Sequence, residues 1–96
     1  QALTFLNGEW IQGRARAFAA RLQREAGEDR TVQITRAFHL TLGRLPTPAE
    51  METSTRFLQQ HEATQPADVE AGLKARKALE AYCLVMLNNN EFWYLN

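Results

Sequence analysis

Apolar side chains in this chain return every three or four residues and nowhere alternate, a period that commits it to packed helices and leaves no strand to pair. From Glu9 to about Ala26, Ile11, Ala15, Phe18, Ala19 and Leu22 form one such face with Trp10 beside them, and Gly27 offers a C-terminal cap. A second helix begins at Asp29 or Thr31, carries Ile34, Ala37, Phe38, Thr41 and Leu42 on one side, and stops at Gly43 and Pro46. Thr47-Pro48-Ala49-Glu50 then joins an N-cap threonine, a proline at the first helical position and a glutamate three residues after the cap. The helix it launches carries Met51, Thr55, Phe57 and Leu58 and runs to Glu62 or Ala63, because Gln65-Pro66 cannot continue it comfortably. After a loop through Asp68, a fourth helix runs from Val69 or Ala71 to about Asn88. Leu73, Leu79, Tyr82, Cys83, Met86 and Leu87 point inward on it, and Gly72 weakens its first turn.

The two ends differ from this pattern. Ala2-Leu3-Thr4-Phe5-Leu6 reads as a short helical stub that stops at Asn7-Gly8, with Asn7 able to accept a backbone N–H from the helix that follows. At the other end the pattern meets Asn88-Asn89-Asn90, where a left-handed residue is expected to end the helix, and restarts as Phe92-Trp93-Tyr94, an aromatic tail expected to cover the helix ends. The expected fold is therefore all-α: a compact bundle of four principal helices, with an N-terminal stub and an aromatic C-terminal tail, forming one domain over residues 1–96. Ninety-six residues can build a core without metal or disulfide, and stability is expected to rest on Phe18, Phe38, Leu58 and Leu87 or their neighbours. Truncating such residues to alanine typically costs about 2–5 kcal/mol. The start at Gln1, without initiator methionine or a basic-then-apolar leader, reads as an excised piece whose targeting signal was removed or lies upstream in a longer parent.

Convergent chemistry is not visible. No Cys-x-x-Cys-His motif, zinc-like ligand spacing or glycine-rich phosphate loop occurs, so the expectation is no catalytic, cofactor-binding or metal residue and no cofactor. His39 and His61 read as helix residues rather than ligands. Cys83, in an apolar stretch with no histidine one turn away, reads as a small core residue. Glu28-Asp29, Glu50 and Glu52 stand at helix starts, where carboxylates offset the positive end of the helix dipole. An apolar fraction of 45% with 23% charged residues fits a globular domain, and no window is apolar enough to span a membrane.

Eleven basic and eleven acidic side chains cancel, so no long-range field gathers nucleic acid. The pair of helices around Gly43–Thr47 has helix-turn-helix spacing, but Glu50 and Glu52 would face phosphates, which argues against DNA. Two surfaces remain as candidates for interaction. Arg14, Arg21 and Arg24 share one side of the first long helix, with Arg16 offset, and read either as a basic stripe for an anion or as a solvated face paired with Glu25 and Glu28. Trp10, Trp93 and Tyr94, with Phe92, offer a platform for a sugar ring or partner unless the domain itself covers them.

Leu6-Asn7-Gly8, the run Arg36-Ala37-Phe38-His39-Leu40-Thr41-Leu42-Gly43-Arg44-Leu45-Pro46-Thr47-Pro48-Ala49-Glu50, and Leu87-Asn88-Asn89-Asn90-Glu91-Phe92 together resemble a carboxy-terminal domain of unknown function in large secreted planctomycete proteins. Leu45 stands where a second proline is common. The resemblance implies an extracytoplasmic, modular parent, often with a cytochrome-c-like domain upstream, and supplies no site residues. The expected role is a non-catalytic structural or interaction module that meets other domains of its parent or a protein partner. The alternatives are an accessory domain of an electron-transfer or polysaccharide-degrading enzyme whose centre lies upstream, and a carbohydrate-binding module using exposed aromatics.

Overall fold

The computed structural model describes residues 8–95, with side chains described through Asn88. Four helices appear in the order α1 (Glu9–Ala26), α2 (Arg30–Leu42), α3 (Pro48–Ala63) and α4 (Ala71–Leu95), with no strand among the described residues. The stub at Ala2–Leu6 and the cap expected from Asn7 lie outside the described residues.

Local chemistry sets most of the boundaries. The first turns of α2 and α3 leave backbone N–H groups without helical acceptors, and side chains supply them. Asp29 Oδ1 accepts the N–H of Val32 at 3.2 Å at the start of α2. At α3, Thr47 Oγ1 accepts the Glu50 N–H at 3.1 Å while Glu50 Oε1 accepts the Thr47 N–H at 2.9 Å, closing the reciprocal box expected from sequence. Gly43 ends α2 at φ 71°, in the left-handed region that a side chain disfavours, and its N–H returns to the His39 carbonyl at 3.0 Å.

α4 packs against each of the other three helices; α1 meets α2, α2 meets α3, and the backbones of α1 and α3 stay apart. At 1.5 Å per residue its 25 residues span about 37 Å, which accounts for the 40 Å long axis of the molecule. Around α4 sits one core: Ala15, Ala19 and Leu22 of α1, Ile34, Ala37 and Phe38 of α2, Leu58 of α3, and Ala78, Leu79, Tyr82, Cys83 and Met86 of α4.

Four expectations need correction. The asparagines do not end the last helix; it runs unbroken through Leu95, and no described non-glycine residue has positive φ. Asparagine in a helix costs less than about 0.7 kcal/mol relative to alanine, and neither glycine nor proline follows, so nothing in the segment forces a stop. The side chains of Phe92, Trp93 and Tyr94 lie outside those described. Leu73, expected inside, is exposed, because at 100° per residue it stands far from the face that Leu79, Tyr82, Cys83 and Met86 share. On α3 it is Ser54, not Thr55, that shares the buried line with Leu58, Thr55 being half-buried. Phe18 and Leu87 pack only partly against the core, whose fully covered aliphatic residues are Ile11, Leu22, Ile34, Leu58 and Leu79.

Candidate functional site

The α1 stripe is real and it faces a groove. Trp10, Arg14, Ala17, Arg21 and Arg24 follow one another at three- and four-residue spacing and so lie along a single line of the helix. Arg14, Arg21 and Arg24 wall a groove of about 430 Å³, whose remaining surface comes from Ala17 and Phe18 of α1, Leu40 and Thr41 of α2 and Leu87 of α4. Thr41 turns its hydroxyl back to the Ala37 carbonyl at 2.7 Å, so it offers the groove its methyl side rather than a free donor. Arg16 is exposed and takes no part. Trp10 keeps 51% of its surface exposed, and the Arg14 guanidinium sits 5.5 Å from its ring centroid.

The three arginines are not equivalent. Arg21 Nε donates to Glu25 at 2.9 Å, and the second Glu25 oxygen accepts from Arg36 of α2. Those two guanidinium groups, Arg21 first, hold the Glu25 carboxyl below its ordinary range. Arg14 and Arg24 make no ion pair among the described residues, and Glu28 pairs with none of the stripe. The reading of a fully ion-paired solvated face therefore applies to Arg21 and not to its two neighbours. Among the described residues no carboxylate lines the groove.

A second cleft, of about 300 Å³, opens between α3 and α4, lined by Phe38, Phe57, Tyr82, Val85 and Met86. Inside it Ser54 Oγ and Tyr82 Oη share a hydrogen bond of 2.7 Å. Glu50 stands at its edge, but both its oxygens are already committed: Arg44 grips them at 2.8 and 2.9 Å while also lying 5.5 Å from the Phe38 ring. The Arg44 guanidinium, then the Thr47 N–H, pull the Glu50 carboxyl down to about 2 from 4.5. Between those values the unfolded chain binds a proton that the folded chain refuses, so this contribution is complete above pH 4.5 and fades as pH falls towards 2. Urea unfolding at pH 7, 4 and 2.5 should show Glu50→Gln less stable than the parent at pH 7, with the gap narrowing towards pH 2.5. A gap independent of pH would show that the charge contributes nothing.

A further polar cluster joins helices. Arg30 donates to Glu62 of α3, to Gln33 Oε1 at 2.9 Å and to the Ala75 carbonyl of α4 at 3.2 Å, while buried Gln33 donates to the Gly27 carbonyl at 2.6 Å. His39 is exposed near the end of α2; His61, in the last turn of α3, contacts Gln65 at 3.1 Å and stacks on Phe57. Burial pushes the Cys83 thiol up to about 12, which keeps it protonated and inert as a nucleophile. Among the described residues no group of three or more histidine, cysteine, aspartate or glutamate side chains lies close enough to hold a metal. No described helix is long and apolar enough to cross a membrane.

Matches to known proteins bear on the same elements. The model of the family described as PSD1, protein of unknown function (DUF1553), matches residues 1–58, which span α1, α2 and α3 as far as Leu58. The chain belongs to this family. No curated protein and no solved structure matches it. The PSD1 match therefore contains Trp10, Arg14, Arg21 and Arg24, together with the Arg44–Glu50 latch, whereas Leu87 and the Ser54 partner Tyr82 lie beyond it.

Sequence reading missed the groove's far wall, Leu40, Thr41 and Leu87, since their closeness to α1 is set by the crossing of helices. It also missed Ser54 and Tyr82 as a pair. Their only sequence signal was the position of Ser54 three residues after Met51 and four before Leu58 on the inward line of α3.

Proposed function

We propose that this PSD1-family chain is a non-catalytic helical module that docks, through the α1 groove, onto another part of a larger extracytoplasmic protein or onto a protein partner. One observation carries this reading: among the described residues Arg14 and Arg24 have no carboxylate partner, on a groove floored by Phe18, Leu40 and Leu87. Elsewhere Arg30 joins Glu62 across α2 and α3, and Arg44, in the loop after α2, holds Glu50 in the first turn of α3. A cationic wall beside an apolar floor suits the rim and centre of a protein interface. The extracytoplasmic setting is taken from the resemblance of the sequence motifs to secreted proteins. A sugar-binding reading would use the same Trp10 surface, but Arg14 already stands by that ring, which weakens the case for a bare stacking platform.

Footprinting tests it. Hydroxyl-radical oxidation of Trp10 and phenylglyoxal labelling of Arg14 and Arg24 are read by mass spectrometry, in this chain alone and in the longer protein or its complex. All three rates should fall severalfold in the larger assembly. Unchanged rates at all three positions would end the docking reading.

A further inference from the structure

We infer that the occupant of the α1 groove is an acidic amphipathic helix, with carboxylates set against Arg14 and Arg24 and aliphatic side chains seated on the floor between them. The inference rests on the docking reading above and names the chemistry of its partner.

Three features point to this occupant. Charge is the first: among the described residues the groove carries three guanidinium groups and no carboxylate, and of the three only Arg21 is ion-paired. An anionic partner supplies what Arg14 and Arg24 lack, and a complementary rim sets register and speeds encounter. Spacing is the second. Arg14 and Arg24 are ten residues apart, about 15 Å along α1, with Arg21 between them. A helix laid along the groove presents one face at i, i+3, i+4, i+7 and i+11, so its carboxylates can reach both ends while the residues between them turn to the floor. Floor chemistry is the third. Phe18, Leu40 and Leu87 are half-buried hydrophobic residues at the edge of the core, and an aliphatic anchor placed on them completes their removal from water. A sulfated sugar chain or a nucleic acid backbone would meet the arginines but bring no apolar group to that floor.

Fluorescence anisotropy tests the inference with a fluorescein-labelled helix-forming peptide of about 18 residues, bearing glutamates at i, i+7 and i+11 and leucines at i+3 and i+4. A scrambled peptide of equal composition and a heparin-derived sulfated oligosaccharide serve as rivals. The patterned peptide should bind in preference to both, and more weakly as salt rises from 50 to 200 mM. Arg14→Ala and Arg24→Ala should each weaken binding about 3- to 10-fold. Arg24 makes no ion pair among the described residues, so Arg24→Ala should melt with the parent chain, and lost binding then cannot be lost folding. Arg56→Ala, on α3 and paired with Glu52, removes one charge elsewhere and should leave binding unchanged.

Equal binding by the scrambled peptide, stronger binding by the oligosaccharide, or Arg14→Ala and Arg24→Ala binding like the parent chain would each overturn the acidic helix. If the patterned peptide fails while Trp10, Arg14 and Arg24 are protected in the larger assembly, docking stands and this occupant is wrong. If it binds while those residues stay unprotected, the groove has the stated chemistry and the larger assembly does not use it.

Discussion

Leu79→Ala lowers the stability of this domain by about 3–5 kcal/mol, the cost of emptying a core site that cannot collapse around the cavity. Leu79 is fully buried on α4, in the same buried cluster as Leu22, Ile34 and Leu58 from the other three helices. Domains of this size hold only about 5–15 kcal/mol in total. Each kcal/mol moves the melting temperature by about 4 °C or more, so calorimetry should show a fall of at least about 12 °C. Cys83 gives a second reading. Its thiol is buried and stays protonated well above neutral pH, so it reacts with a disulfide reagent only when the core opens. Where reclosing outpaces labelling, the rate at pH 8 should rise by about two powers of ten or more in Leu79→Ala. A melting shift below about 5 °C, with unchanged labelling, would mean that α4 does not seat in the core as described.

The second large effect comes from a polar pair. Ser54→Ala leaves the Tyr82 hydroxyl, in a residue only 4% exposed, without the partner it has at 2.7 Å, and should cost about 1–3 kcal/mol. Tyr82→Phe should cost less, because a serine inside a helix can turn its hydroxyl to the carbonyl four residues back. The double variant should then be more stable than the sum of the two losses predicts, by about 1 kcal/mol, since neither hydroxyl is left to be satisfied. Strict additivity in urea unfolding would show that the two groups are not coupled. Alkali provides an independent check. Burial pushes the Tyr82 phenol up to about 12 from 10.0, so the folded chain keeps a proton that the unfolded chain releases, and the stability it contributes fades between those values. Tyr82→Phe should lose less stability than the parent chain from pH 10 upward.

What sequence could reveal divides by distance along the chain. Asp29, Thr47 and Glu50 were readable as caps because each bond closes within three residues, and Gly43 because its backbone conformation excludes most side chains. The core faces were readable where the helical period was kept strictly, as at Ile11, Ala15, Ala19 and Leu22. Leu73 misled because hydrophobicity alone does not report phase, and the asparagines misled because tolerance of a left-handed turn is not a demand for one. Gln33 and Ser54 were hidden because polar residues earn burial only through partners that the fold brings up, here the Gly27 carbonyl and a tyrosine 28 residues away. For the candidate site, the cationic line on α1 could be read from residue spacing. Its depth, its apolar floor and the separation of paired Arg21 from Arg14 and Arg24 could not, since each depends on α2 or α4 or on a chosen rotamer.

Because the backbones of α1 and α3 stay apart, the first three helices form only an open arc, and the surface that closes it belongs to α4, which is synthesised after them. A ribosome delivering this chain therefore releases α1, α2 and α3 with their apolar sides still wet. Stable structure waits for α4, and until then the nascent chain depends on chaperones or on speed to avoid sticking to its neighbours.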